Sequence, residues 1–310
     1  MKTFLVINLS YFGDVILTGS LCQNIKEEYP DSKIIFMVNK PFKEAAQYLD
    51  GVDDVISIDK RGKHKGLLGL FKIVSETPYK NIDAAFVIYG NARGVLISKL
   101  LGVKEIITST HRIHKYFCTK SYVDYGEYVH TQDHNACYLK PLTGKDIKSL
   151  PVKYNIPQQA VEFAQELLKD GDFVGICPVS KRAEKDIPLD DCKELISKIN
   201  SLGKTLVITG TGGRCAEYVE RLRESHCGDF VDLVNKTSIS ELAAVIQKCL
   251  KYISVDTGSM HLACAVGVDL ICLFYIDDEK HLKKWAPKDF YKNVFLKGKI
   301  SVDEIVALIK

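Results

Sequence analysis

The strongest constraint on what this 310-residue chain can fold into is an alternation of short apolar runs with amphipathic stretches, which fills one half, pauses, and restarts in the other. Residues 3–9 predict a buried strand. After Ser10-Tyr11-Phe12-Gly13-Asp14 the apolar positions Val15, Ile16, Leu21 and Ile25 recur at helical spacing as far as Tyr29, where Pro30 and Asp31 end the helix. Further strands are expected over 33–38, 55–58 and 84–88, with a helix over 41–49. The stretch 111–140, rich in Tyr and His, reads as loop plus helix, and 151–157 as an interdomain connection. The alternation then resumes with helix 158–169, strand 173–177, helix 189–201, strand 205–209, helix 215–224, helix 240–247, strand 252–255, helix 258–266 and strand 270–274.

Strands that alternate with helices pair in parallel and carry helices on both faces. The chain is longer than one hydrophobic core usually supports, so two α/β domains of roughly 150 residues are expected. They are placed at 1–155 and 156–310, each doubly wound, with the last helix (302–309) packing back on the first domain. Ligands of open α/β sheets bind at the carboxyl ends of the strands. The expected site is therefore a cleft between two facing sheets, where Asp14 meets the segment 256–261.

Composition excludes several classes. Forty-two basic against 39 acidic residues give a charge of only +3, too near balance for nucleic acid as the main partner. The start of the chain lacks the apolar stretch and cleavage site of a signal peptide, and no apolar run reaches the roughly 18 residues of a membrane span, so a cytoplasmic protein is expected. Ten cysteines lie mostly in apolar stretches without any C-x-x-C pair, which suits a reduced compartment.

Several segments carry candidate chemistry. Asp256-Thr257-Gly258 falls where a strand gives way to a helix, so Thr257, Gly258 and Ser259 can present amides to an anion; in the plainer reading Asp256 is a cap and His261 an internal polar residue. Lys185, with Ser180 and Lys181, offers donors in the loop after strand 173–177, enough with a helix N-terminus to neutralise a diphosphate without a metal. The alternative is an ordinary solvated basic loop. Gly210-Thr211-Gly212-Gly213 leaves room for a nucleotide to approach backbone, but neither a G-x-G-x-x-G nor a G-x-x-x-x-G-K-[ST] pattern is present, so dinucleotide cofactors and ATP hydrolysis lack support. Lys60 to Lys65, including Arg61 and Lys63, and the cluster His111, Arg112, His114, Lys115 and Lys120 form basic surface suited to an acidic acceptor or simply to water. His111, His114 and Cys118, like His130 and His134, have metal-like spacing without a full ligand set, and no metal is expected.

Taken together, Asn8 to Thr18, Asn91-Ala92-Arg93-Gly94, Pro178 to Pro188, Lys236 to Ala243 and Val255 to Ala263 resemble the bacterial lipopolysaccharide heptosyltransferases of glycosyltransferase family 9. The resemblance spans nearly the whole chain, departing at Asn8, where Arg is frequent, and at Ile187, where an aromatic residue is usual. It implies the GT-B architecture of two facing Rossmann-like domains and an inverting, metal-independent transfer of heptose from ADP-heptose to the inner core of lipopolysaccharide. Asp14, otherwise a natural helix cap, becomes the general base. Asp256 would hold sugar hydroxyls, His261 would lie near a phosphate, and Thr237 beside the nucleotide, while Gly13 and Arg93 would face the acceptor. The implied partners are a nucleotide sugar, as co-substrate rather than cofactor, and a phosphorylated lipid-linked saccharide met in transient contact with the inner membrane; the protein is expected to be monomeric. A same-fold transferase with another donor or acceptor, a catalytically silent sugar-nucleotide-binding protein, and a nucleotide-sugar epimerase are the competing readings.

Overall fold

A computed structural model describes residues 1–109, 119–122, 129–169 and 171–310. The chain divides into two compact units, Met1–Lys153 and Tyr154–Lys310. In the first, strands β1 (Thr3–Asn8), β2 (Lys33–Asn39), β3 (Asp54–Ile58), β4 (Ala84–Val87), β5 (Glu105–Ser109) and β6 (Lys120–Tyr122) form a parallel sheet in the order β3-β2-β1-β4-β5-β6. Phe4 to Ile7 are buried completely or nearly so, as expected for a central parallel strand covered on both faces. Helices α1 (Phe12–Glu28), α2 (Lys43–Gln47), α3 (Leu68–Glu76), α4 (Ala92–Leu100), α5 (Thr131–Ala136) and α6 (Lys140–Thr143) connect and cover the strands. One core layer joins Leu5, Ile7, Ile35, Met37, Ala85 and Val87 to Leu70, Ile73, Val95 and Ile97 of α3 and α4.

The second unit repeats the plan with β7 (Phe173–Cys177), β8 (Thr205–Ile208), β9 (Phe230–Asp232), β10 (Lys251–Val255), β11 (Leu270–Phe274) and β12 (Asn293–Lys297). The order β12-β11-β10-β7-β8-β9 is the first sheet's order read from the other edge. Its helices are α7 (Gln158–Leu167), α8 (Leu189–Ser201), α9 (Gly213–Glu224), α10 (Ile239–Lys248), α11 (Gly258–Val266), α12 (Glu279–Trp285) and α13 (Val302–Ala307).

Two expectations need correction. The helix over 41–49 is a 3-10 turn followed by the five residues of α2. The last helix packs within the second unit instead of on the first domain: Val302, Ile305, Val306 and Ile309 share a core with Cys192, Leu195, Ile196 and Ile199 of α8, because their apolar stripe completes the layer under that helix. Of the stretch 111–140, positions 111–118 and 123–128, with His111, Arg112, His114, Lys115 and Cys118, lie outside the described residues.

Candidate functional site

Each sheet has one point where its strand order reverses, between β1 and β4 in the first unit and between β7 and β10 in the second, and such switch points open crevices at the carboxyl ends of the strands. In the first unit the turn after β1 is tied by buried Asn8, whose amide nitrogen donates to Thr18 Oγ1 (2.8 Å) and the Asp14 carbonyl (3.1 Å) while its oxygen accepts the Ser10 N–H (3.0 Å). Tyr11 is the N-cap of α1, and Asp14 stands three residues in. The Tyr11 N–H reaches Asp14 Oδ2 at 3.2 Å, so the capping role does exist, on one oxygen. The other oxygen, Oδ1, accepts the Tyr89 hydroxyl at 2.9 Å.

Tyr89 lies two residues beyond the end of β4 and was not singled out by its sequence context. Its backbone is left-handed (φ 56°, ψ 23°), a conformation that costs a non-glycine residue on the order of 1–3 kcal/mol and persists where the surroundings impose it. Here the imposition is visible: the Tyr89 N–H donates to the Tyr138 hydroxyl at 2.9 Å, and its ring stacks on His134 with centroids 6.0 Å apart. Burial, then the neighbouring Asp14 carboxylate, push the Tyr89 phenol well above the usual tyrosine range, so it stays a proton donor to Asp14.

The acceptor-side candidates are spread over the first unit. Gly13 is the second residue of α1 and half-buried. Arg93, in the first turn of α4, donates to the His64 carbonyl, and its Nε is buried without a partner. Arg61 and Lys63 are exposed, and Lys63 is held by Glu76 at 2.6 Å. Lys60, the first residue of the same basic segment, donates to the Leu9 carbonyl at 2.9 Å; burial, then Arg93, lower its proton affinity. His130 caps α5, accepting the Gln132 N–H on Nδ1. Among the described residues no group of three or more metal-binding side chains converges.

In the second unit Asp256 leaves β10 and Lys185 sits on the loop after β7. Lys185 Nζ lies 2.5 Å from Asp256 Oδ2, and His281 of α12 binds the same oxygen through Nε2 while standing 3.2 Å from Lys185 Nζ. Burial alone would raise the Asp256 carboxyl, but hydrogen bonds from His281 and Lys185 outweigh it and hold the group at about 2. His281 escaped the sequence reading because nothing in its own neighbourhood marks it; Asp278, capping α12, and the turn of that helix bring it onto Asp256. Trp285 lies beside both His261 and His281, with ring centroids at 6.2 and 6.5 Å.

The cap of α11 is Thr257 rather than Asp256. Its hydroxyl accepts the Ser259 N–H at 3.1 Å, so of the three amides expected to meet an anion, that of Ser259 is engaged. Gly258 opens the helix and His261 is buried in its second turn. Ser180 organises its loop, its N–H donating to Asp186 Oδ1 (2.7 Å) and its hydroxyl to the Arg182 carbonyl (2.8 Å); Lys181 is exposed. Gly212, with φ 97°, gives its N–H to Asn235 Oδ1 at 2.7 Å, and a Cβ there would meet nothing within 4 Å. Thr237 is half-buried just before the Ser238 cap of α10.

The two carboxylates therefore differ in kind. Asp14 accepts the Tyr11 N–H and the Tyr89 hydroxyl, one on each carboxylate oxygen. Asp256 is held between Lys185 and His281, which keep its carboxyl ionised.

The family model described as glycosyltransferase family 9 (heptosyltransferase) matches residues 105–306. Lipopolysaccharide heptosyltransferase 3 of Escherichia coli K12 is 24% identical over 298 residues, covering 90% of this chain and 84% of the relative. A glycosyl transferase family 9 structure from Veillonella parvula superposes with a TM-score of 0.89 at 21% identity, covering 99% of this chain and 95% of that one. The E. coli heptosyltransferase WaaC with ADP gives 0.80 at 19% identity, covering 99% of each chain. At these identities the structural matches establish the fold, which is α/β of the GT-B class.

Proposed function

This chain belongs to glycosyltransferase family 9 and is a glycosyltransferase, and from that membership we propose that it moves a heptose from ADP-heptose to the inner core of lipopolysaccharide with inversion at the anomeric carbon. The observation that supports this most is the matched placement of Asp14 and of the Lys185–Asp256–His281 cluster, each at the switch point of its own sheet.

Asp14 takes the proton of the acceptor hydroxyl as that oxygen attacks the anomeric carbon and the bond to the diphosphate breaks. Tyr89 steadies the carboxylate. On the second unit Lys185, the start of α11 and the loop at Ser180 and Lys181 receive the developing diphosphate charge, Asp256 orients sugar hydroxyls, and Gly212, Thr237 and His261 flank the nucleotide. Gly13, Arg93, Arg61 and Lys63 belong to the acceptor side. Cationic side chains and backbone amides suffice for the leaving group, so the reaction runs without a metal. The lipid-linked acceptor puts the enzyme at the cytoplasmic face of the inner membrane, as a monomer. Among the described residues no helix is long and apolar enough to cross a membrane.

The test is nucleotide release from a panel of nucleotide sugars, with and without a lipopolysaccharide-core acceptor, for the native chain and Asp14→Asn. Acceptor-dependent release of ADP, lost in Asp14→Asn, is the expected result. Release that needs no acceptor, or that survives the substitution, would overturn the reading.

A further inference from the structure

Leu67, Leu68 and Phe71 are 76%, 83% and 61% exposed, at the N-cap and in the first turn of α3, whose other face sends Leu70 and Ile73 into the core. Single exposed apolar residues are ordinary on a protein surface; three large ones on one turn are not. α4, which packs beside α3, adds Leu96 and Leu100, both partly exposed.

The display is built into the fold. The loop that leads into α3 is braced by buried His64, whose Nδ1 accepts the Asp59 N–H (3.0 Å), whose own N–H returns to the Asp59 carbonyl (3.0 Å), and whose Nε2 lies 3.1 Å from Glu76 at the far end of α3. Arg93 fastens the His64 carbonyl from α4. A Cβ on Gly69 would lie 2.3 Å from that same carbonyl, so the first turn of α3 rests directly on the loop backbone and only glycine fits. The apolar turn is thus held outward.

The charges around it have one sign left over. Glu76 is taken by Lys63 and His64, and Asp59 by Lys40 at 3.4 Å. Arg61, Lys65 and Lys72 are exposed, and none has an acidic partner among the described residues. An apolar tip ringed by uncompensated cations complements an anionic lipid surface, whose acyl boundary receives the leucines and phenylalanine while headgroup phosphates meet the lysines and arginine.

We propose that residues 59–67 and the start of α3 form a membrane-seating tip that docks the first unit on anionic lipid. This deepens the lipid-linked acceptor reading above, but docking and transfer are measured separately.

The experiment is co-sedimentation of the full chain with phosphatidylcholine vesicles and with vesicles carrying phosphatidylglycerol, for the native protein, Leu67→Ser/Leu68→Ser/Phe71→Ser, and Lys65→Gln/Lys72→Gln. Native protein should bind the anionic vesicles and leave the neutral ones. The apolar triple variant should lose most of that binding, and the lysine variant should lose about five-fold per charge removed. All five substitutions are at exposed positions, so melting followed by circular dichroism should stay near native and identify any variant that fails to fold. Binding that is absent in the native protein, indifferent to lipid charge, or unchanged in the folded variants would overturn the proposal. So would a concentration-dependent dimer abolished by the triple variant without vesicle binding, which would assign the face to a second copy. Vesicle binding that persists while no nucleotide sugar is turned over would leave the tip standing and remove the transferase reading instead.

Discussion

The two switch points share a topology and diverge in chemistry. Both place a carboxylate just beyond the carboxyl end of a central strand, Asp14 after β1 and Asp256 after β10. At the first, a strained tyrosine and a backbone amide hold the carboxylate with hydrogen bonds. At the second, a lysine and a histidine pair with it and drive its proton affinity far down. One fold unit, used twice, yields a carboxylate held by a phenol and a backbone amide and a carboxylate held by a lysine and a histidine. The neighbours at the adjacent strand end decide which.

That contrast breaks most visibly at Asp14. Replacing it with Asn should lower kcat/KM about 10³-fold, the usual scale for a general base, with donor affinity kept. Steady-state kinetics beside calorimetric titration of ADP-heptose would check both halves. Lys185→Ala should act the opposite way, weakening donor binding about 10- to 100-fold through loss of charge-assisted hydrogen bonds while Asp14 still functions. The same titration reads it.

Tyr89→Phe sharpens the first site alone. The hydroxyl stabilises the ionised carboxylate, so removing it should lower kcat/KM about five- to ten-fold and move the acidic limb of the pH–rate profile upward. A loss of rate with an unmoved limb would reduce Tyr89 to a packing role. The smallest effect expected is on stability. Asp256 titrates at about 2 in the folded chain against an ordinary 3.8, so its pairing stabilises the protein fully above about pH 4, and that contribution disappears as pH falls toward 2. The difference in Tm between native protein and Lys185→Met should accordingly be widest above pH 4 and narrow below it.

The central strands were legible because each is a mostly apolar run bounded by turn residues, as in residues 3–9, 173–177 and 252–255. β9 and β12 were not, since Phe230–Asp232 is three partly exposed residues and Asn293–Lys297 mixes exposed and half-buried positions at the outer edge of its sheet. β5 has only Ile106 and Ile107 as an apolar signal before Thr108 and Ser109, although all four are buried. The site divides the same way. Asp14, Lys185 and the 256–261 segment sit in local patterns that a reader can find, whereas Tyr89 and His281 matter because topology carries them onto a carboxylate 75 or 25 residues away. Tyr89 owes its position to a left-handed backbone that no local residue pattern announces.

The claim that the two carboxylates divide the work is tested most directly by titrating ADP-heptose into Asp14→Asn and Lys185→Ala side by side and following turnover in the same samples. The expected outcome is near-native donor affinity without turnover in Asp14→Asn, and donor affinity weakened at least about ten-fold in Lys185→Ala. Equal loss of donor affinity in both, or turnover retained by Asp14→Asn, would contradict it.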